Sequence, residues 1–288
     1  MTEAVVLAVE TGGTKIVWRI ADRDGLALQE GRFPTGRPEA TVETLAQAVA
    51  GRGVAALGVA SFGPLVVDPA DPEVGRMLPT PKPGWAGFNL SKTLAERLQA
   101  PFAVDTDVNA AALAEAELGA GRGARAVAYV TVGTGIGGGL CVDGRTLKGA
   151  LHPEIGHLPV RRVEGDALAG ACPFHADCAE GLAAGPAVRA RLQGRRLEDA
   201  PEVMALVADY LGQLAAGLVF AWAPDRIVFG GGVLSTPGLL PQAEAAARRA
   251  VGGYGSAVVM GQAGYLVPAA LTDAGLEGAL LMARQLLD

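Results

Sequence analysis

Apolar residues in this chain occur in short runs that are separated by segments rich in glycine and proline. Runs of this length between turn residues are typical of buried β-strands, whereas apolar positions three and four residues apart indicate helices. The pattern predicts strands at residues 5–10, 16–20, 54–60, 102–105, 124–132, 140–142, 226–229 and 265–268, with one more after Asp24-Gly25. It predicts helices at residues 38–50, 91–98, 181–192, 201–222, 241–250 and 276–287, an alanine-rich helix ending near Gly119, and Ser91 as an N-cap. The expected class is α/β.

One local plan occurs twice along the chain. In residues 5–25 and again in residues 124–144, a strand leads into a hairpin of glycine and threonine, a second strand follows, and Asp-Gly turns the chain. Two such copies imply a duplicated domain in which each half offers one loop to a shared cleft. The first hairpin contains Thr11, Gly12, Gly13, Thr14 and Lys15, and the second contains Gly133, Thr134 and Gly135.

These hairpins have the composition of phosphate-binding loops. Glycines let backbone N–H groups approach an anion, threonine hydroxyls donate hydrogen bonds, and Lys15 adds positive charge. The first hairpin is not a Walker loop, because G-x-x-x-x-G-K-[ST] is absent, and a plain Gly-Gly turn is its alternative. The alternative for residues 133–138 is a dinucleotide loop, which the strand pattern after the glycines disfavours. Gly231 and Gly232 form a third glycine turn, suited to lying against a flat nucleotide.

Length and composition limit the class of protein. With 288 residues, 50% of them hydrophobic and 19% charged, the chain is long enough for two globular domains. Its net charge of −6 argues against a nucleic-acid or anionic-membrane binder, and no apolar run reaches the ~20 residues of a membrane span. The N-terminus lacks the basic region and apolar core of a secretory signal. Three cysteines fit a reducing compartment better than a disulfide framework, so we expect a cytoplasmic protein.

Five potential metal ligands cluster within a short stretch. All three histidines of the chain (His152, His157 and His175) and two of its three cysteines (Cys172 and Cys178) lie between residues 152 and 178. The C-x2-H-x2-C spacing lets Cys172, His175 and Cys178 converge on one tetrahedral ion, with His157 or His152 as the fourth ligand. Thiolate and imidazole ligands favour zinc over hard cations. The alternative is a pair of buried thiols or a disulfide beside an ordinary loop histidine.

Two acidic residues, Glu154 and Glu180, lie beside the expected ligands without being ligands themselves. A structural zinc ion would fix the loop, and the loop would hold these carboxylates in place for a substrate.

Two further acidic residues stand where a strand meets a helix. Asp107 is the stronger candidate for chemistry, because a carboxylate at that junction can be aimed at a bound hydroxyl group, whereas Asp105 is equally well explained as a helix cap. The loop at residues 61–65 follows another predicted strand, at the end where α/β proteins usually bind ligands. Residues 68–87 are rich in proline and glycine, and form either a surface connection or a substrate lid.

Five separated motifs carry a resemblance to a known family. They are Glu-Thr-Gly-Gly-Thr-Lys at 10–15, Asp-Thr-Asp-Val-Asn-Ala-Ala at 105–111, Gly-Thr-Gly-Ile-Gly-Gly-Gly at 133–139, His-Pro-Glu-Ile-Gly-His at 152–157, and the Cys/His loop at 172–180. In this order they resemble the ROK family of sugar kinases and repressors, within the actin-like ATPase superfamily. The resemblance covers nearly the whole chain.

Within that family the chain is most similar to the bacterial fructokinases. His-Pro-Glu-x-Gly-His, Cys-x-x-His-x-x-Cys and Thr-Pro-Lys-Pro-Gly-Trp at 80–85 stand where family glucokinases have other residues. The resemblance implies two ribonuclease-H-like domains, at residues 1–116 and 117–274, with a closing helix at about 275–288 returning to the first. It also implies a homodimer, with ATP and sugar in the cleft between the domains, and transfer of phosphate from Mg·ATP to fructose, giving fructose 6-phosphate.

Roles for individual residues follow from the same resemblance. Asp107 would be the general base, and Glu154, His157 and Glu180 would join it in contacting the sugar. His157 would also bind zinc, together with Cys172, His175 and Cys178. The ATP-binding residues would be Thr11, Gly12, Gly13, Thr14, Lys15, Gly133, Thr134 and Gly135 at the phosphates, and Gly231 and Gly232 at the adenosine.

Two positions depart from the commonest family pattern. Glu10 stands where most members have Asp, and its longer side chain would reach magnesium-bound water differently. Thr106 replaces the Asn that glucokinases place before the catalytic Asp, which weakens the case for glucose. Family fructokinases tolerate both changes.

Three other functions are alternatives to a fructokinase. A kinase for glucose, mannose or an N-acetylated amino sugar would share the fold and mechanism, because one hydroxyl contact separates such substrates. A transcriptional repressor would need an N-terminal helix-turn-helix, for which the strand predicted at residue 5 leaves no room. A non-catalytic sugar sensor is disfavoured by Asp107 and the two phosphate hairpins.

Overall fold

The computed structural model describes residues 4–287. The strands are β1 (Val5–Thr11), β2 (Lys15–Ala21), β3 (Ala27–Pro34), β4 (Val54–Ser61), β5 (Phe102–Thr106), β6 (Ala126–Val132), β7 (Ile136–Val142), β8 (Arg145–Thr146), β9 (Arg226–Gly230) and β10 (Leu266–Pro268). The α-helices are α1 (Pro38–Ala48), α2 (Leu90–Leu98), α3 (Asp107–Glu117), α4 (Ala179–Ala183), α5 (Gly185–Leu192), α6 (Pro201–Trp222), α7 (Leu239–Val251), α8 (Ala257–Met260) and α9 (Ala274–Arg284). Short 3-10 helices occur at Ile155–His157, Leu197–Asp199 and Gly232–Ser235.

The described chain divides into two compact units. The first contains residues up to 114 together with 146–152 and 272 onwards, and the second contains residues 115–145 and 153–271. The short segment 146–152, which was predicted to belong to the second domain, therefore groups with the first unit.

Each unit is built on a five-stranded mixed sheet with the same topology. In the first unit the order is β3-β2-β1-β4-β5, and in the second it is β8-β7-β6-β9-β10. The pairs β1–β2 and β6–β7 are antiparallel, whereas β4 lies parallel to β1 and β9 lies parallel to β6. Because a strand follows the glycines in both copies, the predicted hairpins and the duplication of the α/β fold are confirmed.

Helix α9 packs against the first sheet. It lies so close to β4 that a Cβ built on Gly58 would overlap the carbonyl oxygen of Ala279, and only glycine fits at that point of the strand. The C-terminal helix thereby covers a sheet whose strands come from the beginning of the chain.

Helix α6 lies in the core of the second unit, where Tyr210, Leu211 and Leu214 are almost fully buried. Among the described helices it is the one whose length and apolar composition match a membrane span, and 67% of the matching window is buried inside the protein. Packing against α7 and burial in the core of the second unit account for this apolar composition, since core helices pass the same test.

The structure corrects two local predictions. Ser91 does not cap α2, because the side chain of Asn89 accepts the hydrogen bond from the Lys92 backbone N–H at 3.0 Å, and Ser91 lies buried in the first turn. The helix predicted at residues 181–192 is divided into α4 and α5 at Ala184, whose backbone is extended. Pro186 explains the division, since it has no N–H for the carbonyl four residues earlier and its ring would clash there.

Candidate functional site

In the first unit, three parallel strands end side by side. Thr11 at the end of β1 pairs in register with Ser61 at the end of β4, and Ser61 pairs with Thr106 at the end of β5. The chain then continues as the first hairpin, the loop at residues 61–65, and helix α3, respectively. Three segments that the sequence analysis singled out therefore emerge at one edge of the sheet, where α/β proteins usually bind ligands.

The first hairpin has a buried base and an exposed tip. Thr11 is fully buried, and its hydroxyl donates to Ser61 Oγ at 3.0 Å. Gly12 N–H donates to the Lys15 carbonyl at 2.8 Å and closes the turn. Gly13, Thr14 and Lys15 are exposed. The tip is thus the part of the hairpin that is accessible to a phosphate group, whereas the Thr11 hydroxyl is engaged inside the sheet edge.

The carbonyl oxygens of this hairpin are held by neighbouring segments. Thr35, just after β3, donates its hydroxyl to the Gly12 carbonyl at 2.7 Å and its N–H to the Thr14 carbonyl at 3.0 Å. Lys82, from the proline-rich segment, donates its ammonium group to the Gly13 carbonyl. This second lysine at the hairpin is not predictable from the sequence, because nothing in the local pattern relates residue 82 to residue 13.

Glu10 lies at the start of α9. Burial is the main cause that raises the pKa of its carboxyl group, the negative charge of Asp273 adds to the effect, and Lys15 and the Leu276 backbone oppose it. Glu10 and Asp273 supply carboxylate oxygens, which are ligands that Mg²⁺ prefers. The residues present fit the predicted magnesium role of Glu10.

Asp105 is enclosed by hydrogen-bond donors. One carboxylate oxygen accepts from the backbone N–H of Thr106 and the side chain of Asn109, both at 2.8 Å. The other accepts from the Thr146 hydroxyl at 2.6 Å and from the Lys148 ammonium group at 2.8 Å. Asp105 is fully buried, so this ion pair fastens the segment 146–152 to the end of β5.

Asp107 is the first residue of α3, and one oxygen of its carboxylate accepts from the Val108 N–H at 2.9 Å. The helix is capped by Thr106, whose hydroxyl accepts from the Asn109 N–H at 3.1 Å. Capping by Asp105, which the sequence left open, is therefore not its role. The three neighbouring residues therefore have different roles. Thr106 caps α3, Asp105 anchors the segment 146–152, and Asp107 lies at the positive end of the helix dipole.

In the second unit, the two remaining glycine segments are neighbours. Gly133 N–H donates to the Gly135 carbonyl at 2.9 Å, and Thr134 between them is exposed. Gly231 follows β9, has φ of 90°, and lies so near the backbone of Val132 that a Cβ would overlap it. Gly232 begins the next 3-10 helix. The predicted phosphate and adenosine segments of this unit thus lie at the ends of adjacent parallel strands.

The predicted metal ligands come together in the same unit. The ligand atoms of His157, Cys172, His175 and Cys178 all lie within 4.8 Å of one another. Cys172 Sγ is 3.8 Å from His157 Nδ1 and 3.7 Å from His175 Nδ1, and Cys178 Sγ is 3.9 Å from His157 Nδ1. Adjacent ligand atoms of a tetrahedral zinc site with nitrogen and sulfur ligands are about 3.6 Å apart. The donor set and its spacing fit zinc.

The third cysteine, Cys141, lies outside this group. It is buried on β7, and its burial, with a smaller effect from Glu117, raises the pKa of the thiol to about 11.

The metal-ligand loop also carries the two predicted sugar-contacting acids. Cys178 caps α4 by accepting from the Gly181 N–H at 3.3 Å, and Glu180 lies in the first turn of this helix. One carboxylate oxygen of Glu180 accepts from the Ile136 N–H at 2.9 Å, directly after the second glycine hairpin. Glu154 is exposed, and its carbonyl accepts from the His157 N–H at 3.1 Å. A fixed loop would therefore hold both acids.

His152 does not belong to the metal group. It is the last residue of segment 146–152 in the first unit, and its Nε2 accepts from the Leu65 N–H at 3.2 Å. The C-x2-H-x2-C spacing leaves the fourth ligand open between His152 and His157. In the structure it is His157 that lies with the other three ligands. The contact from residue 152 to residue 65 has no signal in the sequence, because it joins positions far apart in the chain.

Comparisons with known proteins agree with these features. The model of the ROK family matches residues 6–286. A fructokinase of Pediococcus pentosaceus is 36% identical over 281 residues, which is 96% of this chain and 96% of that protein.

Two solved structures have the same fold. A ROK hexokinase from Thermus thermophilus superposes with a TM-score of 0.78 at 31% identity, covering 98% of this chain and 99% of that one. A ROK family glucokinase from Streptomyces griseus, in complex with glucose and AMPPNP, has a TM-score of 0.74 at 28% identity and covers 98% of this chain and 100% of that one. The duplicated α/β architecture is therefore the actin-like ATPase fold, and this chain belongs to the ROK family.

Proposed function

We propose that this protein is a hexose kinase that transfers phosphate from Mg·ATP to D-fructose and gives fructose 6-phosphate. The observation that carries the proposal is the edge of the first sheet. There a glycine hairpin with an exposed lysine stands two strands away from Asp107, which begins a helix at the end of β5. A loop suited to phosphate and a carboxylate suited to a hydroxyl group are the two parts that phosphoryl transfer to an alcohol requires.

Asp107 acts as the general base in this mechanism. Phosphoryl transfer passes through a loose transition state, so the sugar hydroxyl loses its proton late and the base mainly orients it. The position of Asp107 at the first turn of α3 suits this task, because the backbone bond to Val108 N–H fixes the direction of the carboxylate. A well-aimed base contributes ~10²–10⁴-fold to the rate.

The glycine segments bind the nucleotide. The exposed tip formed by Gly13, Thr14 and Lys15, and the second hairpin at Gly133, Thr134 and Gly135, offer N–H groups and one cation to the phosphates. Gly231 and Gly232 lie against the adenosine. Glu10 would hold Mg²⁺ through water, and the bound ion would supply positive charge to the phosphates.

The sugar is held by acids of the metal-ligand loop. Glu154, His157 and Glu180 contact its hydroxyl groups, and zinc on His157, Cys172, His175 and Cys178 keeps them in register. The support lies in the chain of contacts from the metal group through Cys178 to Glu180. Carboxylates at fixed positions are good acceptors for sugar hydroxyls.

Fructose is preferred over glucose on two grounds. The Pediococcus relative, matched along nearly its whole length, is a fructokinase. Thr106, which stands where glucokinases have Asn, is buried and uses its hydroxyl to cap α3, so it offers no amide group to a sugar. Other hexoses, including the glucose bound by the Streptomyces relative, form the alternative. A cytoplasmic homodimer belongs to this proposal on the strength of the family resemblance.

The test is a coupled ADP-release assay with Mg·ATP and fructose, mannose, glucose, N-acetylmannosamine and N-acetylglucosamine. The expected result is the highest kcat/KM with fructose, and sugar-dependent ADP release that is slower by about 10²–10⁴-fold for Asp107→Asn. Preference for another hexose would contradict fructose as the substrate and would still support a hexose kinase. Absence of turnover with every sugar, in a zinc-containing sample, would overturn the kinase and favour a sugar sensor.

A further inference from the structure

The loop at residues 61–65 lies in the middle of the proposed site. It leaves the sheet at Ser61, which pairs with Thr11 on one side and Thr106 on the other. It therefore emerges between the phosphate hairpin and Asp107. Under the proposed function, the sugar hydroxyl that receives the phosphate must lie between those two segments, so this loop borders the sugar.

The first half of this loop is fastened to the sheet edge. Ser61 Oγ accepts from the Thr11 hydroxyl and donates to the Phe62 carbonyl at 2.9 Å. The Phe62 N–H donates to the Thr11 carbonyl at 2.9 Å, and its ring packs edge-on against Trp85 at 5.0 Å between centroids. These contacts hold Ser61 and Phe62 and do not involve the other half of the loop.

The second half is held from two sides. The Pro64 carbonyl accepts from the Leu78 N–H at 2.8 Å, and the Leu65 N–H is held by His152. The Leu65 N–H donates to His152 Nε2 at 3.2 Å, and the imidazole lies against Gly63, where a Cβ would stand 3.1 Å from the same nitrogen. Leu65 is 1% exposed and His152 is 7% exposed, so water cannot replace this bond. An N–H group left without an acceptor at such a site is costly, and the loop would move to satisfy it.

His152 also stands next to the segment that carries Glu154. It is anchored in the first unit by the Leu65 contact, and the same short segment is anchored there by Lys148 on Asp105. Glu154 follows two residues later in the chain. One imidazole thus helps to fix the part of the loop that borders the expected sugar position.

We propose that His152 is a positioning residue for sugar binding, which sets the Gly63–Leu65 part of the loop by accepting the Leu65 N–H on Nε2. This role rests on the proposed function, since it assigns the loop to the sugar of that reaction. His152 touches neither the nucleotide nor the reacting atoms in this account, and it acts through the loop.

The test compares two amide substitutions of the same residue. The side-chain oxygen of Gln can occupy the place of Nε2, whereas Asn is shorter and reaches only the place of Nδ1. We therefore expect His152→Gln to keep the KM for the sugar within about twofold of the wild-type value. We expect His152→Asn to raise it about tenfold or more, the factor that corresponds to one lost bond to a buried N–H group. The KM for Mg·ATP is expected to stay unchanged in both variants.

Sugar affinity measured calorimetrically, without nucleotide, provides a second readout. We expect the wild-type protein and His152→Gln to bind the sugar tightly, and His152→Asn to bind it weakly. Equal sugar affinities for Gln and Asn would overturn the proposal, as would a parallel rise in the KM of sugar and Mg·ATP. Turnover of the wild-type protein on the sugar panel tests the proposed function separately, so failure of the kinase and failure of the His152 role are distinguishable.

Discussion

Asp105 and Asp107 are two residues apart and differ in their burial and in their hydrogen-bond partners. Asp105 is fully buried and receives four donors, among them the Lys148 ammonium group. Asp107 begins a helix and has its backbone contact within that helix. A buried and fully paired carboxylate is a structural anchor, whereas one at a helix start, at the same sheet edge as a phosphate hairpin, is placed for chemistry.

The two aspartates are expected to respond differently to the same substitution. Asp107→Asn should lower kcat about 10²–10⁴-fold, with sugar affinity within about threefold of wild type and an unchanged urea midpoint, because the amide keeps the shape and loses the basic oxygen. Kinetics, calorimetry and urea unfolding measure the three quantities. Near-normal turnover of this variant would contradict the assignment of the base.

Asp105→Asn serves as the matched control. It removes the partner of Lys148, which is itself partly exposed, and we expect a loss of about 2–3 kcal/mol in the free energy of unfolding. Should Asp105→Asn instead leave stability intact while abolishing turnover, the roles of the two residues would be exchanged.

At the scale of elements, the metal-ligand loop connects several parts of the second unit. Cys178 links the metal group to α4, Glu180 links α4 to the second hairpin, and Asp166 links the loop to α5 and α6 through Arg191 and Tyr210. These polar links fix the position of the loop within the unit.

Removal of the metal is expected to disorder the loop. A chelated sample should lose about one zinc per chain, and amide hydrogen exchange should accelerate at residues 157–180 while the first sheet stays protected. Turnover should fall with the loss of protection, since Glu180 is held by the same loop. A chelated sample with unchanged exchange and full activity would contradict this.

Substitution of the cysteines separates metal binding from general damage. Cys178→Ser should lose zinc in mass spectrometry of the native protein. Cys141→Ala, a buried thiol outside the group, should retain it.

At the scale of the whole molecule, acid stability depends on carboxylates that are paired in the folded chain. Burial alone would raise the pKa of Asp166, but hydrogen bonds from Arg191 and Tyr210 outweigh it and lower the pKa to about 2. The ordinary value is about 3.9. The ionised group therefore stabilises the folded chain above pH ~4, and this contribution is lost as the pH falls through ~2.

Asp166→Asn should consequently lower the free energy of unfolding by about 2–3 kcal/mol at pH 7. Its difference from wild type should shrink between pH ~4 and ~2. Urea unfolding at several pH values measures both effects. Glu244→Gln, which breaks a more exposed pair with Arg248 on α7, is the control and should change stability by at most about 0.5 kcal/mol. A pH-independent difference for Asp166→Asn would contradict the linkage.

Much of this protein is determined by its sequence alone, because the relevant signals are local. The repeated plan of strand, glycine hairpin and strand is confirmed in both sheets, since strand formation and tight turns depend on neighbouring residues. The spacing of Cys172, His175 and Cys178 predicts a group of ligands that the structure brings together. The ordered motifs predict the family to which the chain belongs.

Only the tertiary structure decides between residues that look alike in sequence. His157 joins the metal group and His152 binds the Leu65 N–H, although both stand in one six-residue motif. Asp105 is buried against Lys148 while Asp107 starts a helix. The physical reason is the same for His157, His152 and Asp105: the partner that sets the role lies 15 or more residues away in the chain, and the tertiary fold, not the local pattern, brings it into contact.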